Sequence, residues 1–185
     1  MKRMSDNETN TQLTNLLPLD EWAAFENEIY DKTGLESSVF NVKGIRITDN
    51  KKWANRLCPE IKATDKGQAF ICAVAHMNLA EIGRQTGEPV IEECDAGLVK
   101  LVVPIIVDGE FIGAFGACGL MLEDGEVDSF LVNKITGIDE ERVEELAPDV
   151  KTISRADLET LRDRIKDRID GLIADYVESN AKETP

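Results

Sequence analysis

The chain has 185 residues, enough for one core of ordinary size and too few for two large catalytic domains. Its apolar residues, 42% of the total, fall in periodic runs, which excludes a disordered chain. Lys and Arg number 21 against 36 Asp and Glu, a net charge of −15 that no basic block offsets, so nucleic acid and anionic membrane are poor partners. The longest apolar stretch, Leu98 to Leu122, is broken by Lys100, Asp108, Glu110 and glycines, and cannot be a membrane helix. No apolar core follows the N-terminal basic residues, so a cytoplasmic location is expected. There, Cys58, Cys72, Cys94 and Cys118 act as free thiols, ligands or small core residues.

Residues 1–14 are polar and read as a mobile segment. Trp22, Phe25, Ile29 and Tyr30 then recur at helical spacing up to Gly34. From Leu35 to Thr48 the period becomes two, with Lys43-Gly44 as the turn of a hairpin over 39–48. A short helix is expected over Asn50–Leu57, and a longer one over Phe70–Gly83 whose broad apolar face includes Phe70, Ile71, Val74, Met77, Leu79 and Ile82. On that helix Cys72, His76 and Leu79 fall on one side.

A short strand at Val90-Ile91 leads to Cys94-Asp95-Ala96-Gly97, and then comes the clearest element, two apolar runs joined by Asp108-Gly109. A two-residue turn there would set Val107 opposite Glu110, Ile105 opposite Ile112 and Val99 opposite Cys118. Pro104 lacks a donor and needs a strand edge or a bulge. From Glu123 to Asp149 the composition turns acidic around two short helices, at Phe130–Ile138 and Glu140–Leu146. A capping box at Ser154–Asp157 opens a final helix expected over 154–177. The order of elements predicts an α+β domain with a largely antiparallel sheet flanked by helices, plus a long C-terminal helix.

Several local features occur together in order. They are Thr33-Gly34, the hairpin at Gly44, Trp53 with Cys58 and Ile61, Gly67 with Cys72, Gly87-Glu88-Pro89, Cys94-Asp95-Ala96-Gly97-Leu98, Val103-Pro104-Ile105, Gly109 and Ile112-Gly113. In this the chain resembles the PocR sensory (ligand-binding) domain family from about Leu16 to Leu122, with a weaker helical continuation to about Ile173. The resemblance implies a PAS-like fold, divided here into a sensory domain over 15–150, a signalling or dimerisation helix over 151–178 and a mobile tail over 179–185. It also implies sensing of a small organic molecule such as a short diol or alcohol, with output to a histidine kinase or transcription regulator. The sequence departs from the family pattern at His76 and in the Gly-Ala-Cys-Gly stretch ending at Gly119.

The candidate ligand-binding residues are therefore Cys58, Cys72, Cys94, Asp95, Trp53, Phe70 and Gly116. A second reading takes Cys58, Cys72 and Cys94, completed by Cys118 or His76, as ligands of zinc or an iron–sulfur cluster, because thiolates suit soft metals. The plain alternative is that the cysteines are small hydrophobes lining a pocket or core. Asp95 would accept a hydrogen bond from a ligand hydroxyl or cap its own turn. Cys72 with His76 suggests a nucleophile and base, but no acidic partner lies one turn on to orient the imidazole, so catalysis is not expected. Leu158, Leu161, Ile165, Ile169 and Leu172 form a stripe longer than a small sheet needs, read as a homodimer or partner contact, with capping of the chain's own domain as the alternative.

Overall fold

The computed structural model describes residues 12–183. The expected mobile segment thus falls mostly outside the described residues, although 12–16 are helical and Leu13 is buried. Helix α1 (Leu19–Thr33) leads into β1 (Glu36–Asn41), followed by α2 (Leu57–Ala63), a π-helical stretch (Gly67–Ala73) and α3 (Val74–Thr86). Strands β2 (Val90–Glu93), β3 (Val99–Val107) and β4 (Glu110–Cys118) complete one antiparallel sheet of order β1-β4-β3-β2. The chain then makes β5 (Met121–Leu122), α4 (Ser129–Thr136), α5 (Glu140–Leu146), β6 (Thr152–Ile153) and α6 (Arg155–Glu183), with β5 and β6 paired in parallel. This is the α+β architecture read from the sequence, an antiparallel sheet between helices with a long helix at the end. Among the described residues, no helix is long and apolar enough to cross a membrane.

Successive side chains on a strand point to opposite faces, so the register decides what each face carries. On one face Val39, Phe115, Leu101, Val103 and Ile105 meet Trp22, Phe25 and Ile29 of α1 and Leu161, Ile165 and Ile169 of α6 in the main core. Phe25 and Phe115 stack with ring centroids 4.8 Å apart. The dimer stripe expected on the last helix is corrected by this packing. Leu158, Leu161, Ile165 and Ile169 are buried in the chain's own domain and Leu172 packs partly against it. Ser154 caps the helix as expected, its Oγ accepting the Asp157 amide at 3.0 Å. The helix nevertheless runs on to Glu183, through much of the expected tail.

The Asp108-Gly109 hairpin forms with both residues at positive φ, 50° and 79°. Val107 faces Glu110 as expected, but a bulge at Ile105/Ile106 shifts the register, so that Ile105 faces Gly113 and Lys100 faces Cys118. Pro104 sits beyond Val102, the last residue of β3 paired with β2, where no donor is required.

The hairpin over 39–48 is also only partly realised. Its second arm is reduced to a bridge between Phe40 and Arg46, because the Val39 amide donates to Glu26 of α1 at 2.9 Å instead of to a strand. The Asn41 carboxamide oxygen sets the turn, accepting from the Lys43 and Ile45 amides at 3.0 and 3.1 Å. The helix expected over 50–57 begins about two turns later, at Leu57, because the Asn55 carboxamide accepts the Cys58 amide at 2.7 Å.

Truncation of Ile165 to Ala removes a side chain from the centre of the main core. It is expected to cost about 2–5 kcal/mol, seen as a lower urea midpoint. A stability loss near zero accompanied by a lower particle mass in light scattering would restore the dimer seam.

Candidate functional site

The opposite face of the sheet is of a different kind. Register places Glu36, Cys118 and Lys100 in one row across β1, β4 and β3, with Ser38, Gly116 and Val102 in the next and Phe40, Ala114 and Pro104 in the third. Val102 and Ala114, from the second and third rows, are packed under Leu79 and Ala80 of α3. The row at Glu36 carries charge, and it is enclosed: Glu36 is 2% exposed and Lys100 8%.

Four elements bring side chains to this charged end. From the π-helix and α3 come Cys72 and His76, the latter 4% exposed and stacked on Phe40 with ring centroids 4.0 Å apart. His76 lies directly over Gly116, where an added Cβ would stand 3.4 Å from Nδ1 and 3.0 Å from the Phe40 ring. From the return of β1, Arg46 pairs with Glu36, and from α2 Lys62 approaches the same carboxylate at 3.6 Å while lying over the Trp53 ring at 5.1 Å. Asn55 ties α2 to the end of β4, donating to the Gly119 carbonyl at 2.6 Å and to Cys58 Sγ at 3.4 Å.

The cysteines gather at the boundary between this face and a second apolar core. Cys58, Cys72 and Cys94 pack against a cluster that includes Leu57, Ile61, Ile71 and Leu98, while Cys118 ends β4 beside Lys100 and Glu36. Burial pushes the Cys58 and Cys94 thiols up, and raises Cys72 to about 11. Each of these three also senses Cys118 through space. Thiols held protonated are neither activated nucleophiles nor ready ligands. Among the described residues, no three His, Cys, Asp or Glu side chains form a group that could hold a metal ion. The zinc or iron–sulfur reading of Cys58, Cys72, Cys94 and Cys118 with His76 therefore finds proximity but no ligating arrangement.

Burial also lowers His76, to about 3, reinforced by the charges of Lys100, Arg46 and Lys62. The imidazole is neutral, and its Nδ1 is buried without a hydrogen-bond partner. The same is true of Glu36 Oε2 and Arg46 Nη1. With neither an orienting acid for His76 nor a thiolate at Cys72, the pair lacks the parts of a catalytic dyad.

The sequence-based candidates divide. Cys58, Cys72, Cys94, Gly116 and the half-buried Trp53 lie around the cluster. Phe70 does not, being 58% exposed with Val74, Met77 and Ile82 on the outer side of its helix; of the apolar face expected there, only Ile71 and Leu79 are buried. Asp95 is likewise exposed, on a turn closed by the Gly97 amide donating to the Cys94 carbonyl at 2.8 Å. Gly97 is required in that turn, since its φ is 78° and a Cβ would stand 2.0 Å from the Glu126 carbonyl oxygen. The residues missed are Glu36, Phe40, Arg46, Asn55, Lys62 and Lys100. Lys100 was the available signal, a charge inside the run LVKLVVPIIV, and Glu36 shares its face by period-two counting from Phe40.

An antiparallel sheet with a dry face under α1 and α6, and an enclosed polar face under α2 and α3, defines an α+β sensory domain consistent with the PAS-like class. Residues 15–170 match the PocR family, described as a sensory domain found in PocR, and the chain belongs to that family. Comparison with curated proteins and with solved structures finds no match.

Because His76 is depressed in the folded state, the unfolded chain binds the extra proton as pH falls from about 6.5 towards about 3, and stability is lost through that window. The slope reaches at most ~1.4 kcal/mol per pH unit. His76→Gln should flatten the fall in urea midpoint between pH 6.5 and 4. Glu26, whose carboxyl burial raises, contributes with the opposite sign in both proteins and cancels in the difference. Equal slopes would show that His76 is not held neutral.

Proposed function

We propose that this chain is a cytoplasmic sensor that binds a small organic molecule on the enclosed face of its sheet, between His76 and Gly116 on one side and Glu36 with Arg46 on the other. The observation that carries the reading is that three buried polar atoms of this face, Glu36 Oε2, Arg46 Nη1 and His76 Nδ1, have no hydrogen-bond partner among the described residues. Leaving such groups unsatisfied costs roughly 1–3 kcal/mol each, a cost that a polar guest would remove. The family assignment supports the same function, since its members are sensory domains. Protonated Cys58, Cys72 and Cys94 supply an uncharged lining, and Gly116 lets Phe40 and His76 close down on the strand, bringing Nδ1 to the sheet. Asp95 and Phe70, exposed as they are, have no part in this site.

We assign the output to a second copy or to a kinase or transcription regulator, as the family's sensory role suggests. The matched region ends at residue 170, whereas α6 continues to Glu183 with residues 177–182 exposed. The exposed C-terminal end of the helix, not the buried stripe at Leu158–Ile169, is the element we assign to the contact.

A ligand binding only the folded state stabilises it by mass action, about 2.7 kcal/mol at a hundredfold its Kd, equivalent to roughly 5–11 °C in Tm for a chain of this size. Thermal melting across short alcohols, diols, ketones and acids should single out one class at that scale. Gly116→Val, whose side chain must push His76 and Phe40 off the strand, should abolish the response while leaving a cooperative transition. A flat response in the unaltered protein across the whole panel would refute the reading. Brown protein with absorbance near 400 nm after purification without oxygen would favour the iron–sulfur alternative instead.

A further inference from the structure

Resting on the reading that this face binds a small organic molecule, we propose that the ligand is an anion: a short carboxylate that also bears a hydroxyl group. Three cations, Arg46, Lys62 and Lys100, reach the site, and among the described residues one carboxylate, Glu36, lies within ion-pair distance of any of them. Arg46 spends one nitrogen on Glu36 and has the other, Nη1, buried and free. Lys62 shares the same carboxylate at the longer distance of 3.6 Å. The Lys100 ammonium has no carboxylate within ion-pair distance among the described residues, even though Glu92 faces it across the β2–β3 ladder.

This surplus runs against the composition of the chain. With a net charge of −15, acidic groups abound, and exposed cations such as Arg142 and Arg84 have found them. An enclosed positive surplus is costly, because charge removed from water needs a counter-charge and hydrogen bonds. A ligand carboxylate would supply both, accepting from Arg46 Nη1 in the manner that suits a guanidinium. A neutral diol would leave the surplus in place.

The hydroxyl follows from the remaining orphan acceptor. Glu36 Oε2 can only accept, so its partner must bring a donor, and a plain carboxylate brings none. Glu36 and Ser38 are one same-face step apart on β1, ~7 Å, and Ser38 pairs with Gly116 beneath His76. That span suits a molecule of two to four carbons. The thiols of Cys58, Cys72 and Cys94, the edge of Phe40 and the absent side chain of Gly116 form its uncharged surroundings.

The test is titration calorimetry on the full chain with three probes that differ by one group each: lactate, propane-1,2-diol and propanoate. Lactate should bind at least tenfold more tightly than either of the others. Arg46→Gln and Lys100→Met, each checked for a cooperative melt, should erase the preference of lactate over the diol. A structural role for Arg46 or Lys100 would instead lower Tm and leave the ranking intact, which would overturn the proposal. Tighter binding of the diol would overturn the anionic ligand while leaving the small-molecule site standing. Propanoate equal to lactate would overturn the hydroxyl. If none of the three binds and the wider melting panel is also flat, the site itself falls.

Discussion

One sheet has to serve two faces of opposite character, and the alternation of side chains along β1, β4 and β3 makes this possible. Moving β4 by one residue against its neighbours would carry Phe115 into the polar site and Gly116 into the dry core. The register is held on one side by the Asp108-Gly109 turn and its bulge, and on the other by the six paired positions from Glu36–Cys118 to Asn41–Gly113. The dry face, closed by α1 and α6, supplies the burial that stabilises the domain. That surplus is what allows the other face to keep polar atoms unpaired.

Two buried carboxylates show the difference. Glu26 is fully engaged: its oxygens accept from the Val39 amide, the Thr48 hydroxyl and the Asn50 carboxamide, fixing α1 to β1 and its return. Glu36 is as deeply buried, yet one of its oxygens has no donor. The same fold thus satisfies a carboxylate whose role is structural and leaves the other half-satisfied. Since buried polar groups in native proteins are seldom left in this state, the convergence of three of them at Glu36, Arg46 and His76 is what supports the proposed site.

Much of the architecture was legible in the sequence because it rests on local signals. Gly34 ends α1 and Ser154 opens α6 where expected, and the Asp108-Gly109 turn joins the predicted strands. What local pattern could not supply was the choice of partner. The second arm of the first hairpin lost its ladder to Glu26, 13 residues earlier in the chain, and the start of α2 was decided by Asn55, which also binds Gly119 far along the sequence. The site was legible in part. Cysteines and glycines drew notice by type, whereas Glu36, Arg46, Lys62 and Lys100 resemble ordinary surface charges until the sheet brings them together. Phe70 misled for the converse reason, since an apolar residue on an amphipathic helix was read as inward although the π-helical stretch before α3 leaves it outside.

The arrangement also gives a ligand a mechanical route to the far side of the domain. His76 rests on Gly116, and Gly116 is flanked in β4 by Phe115 and Ala117, both of which point into the core shared by α1 and α6. Phe115 packs on Phe25, whose ring also lies 5.7 Å from the Arg168 guanidinium of α6. Close-packed interiors transmit small displacements because they have no voids in which to absorb them. If the proposed ligand displaces His76, the movement meets β4 at Gly116, and Phe115 and Ala117 carry it into the core shared with α1 and α6. The absence of a side chain at Gly116 is what places the binding face and the helix-bearing face within one strand's thickness of each other.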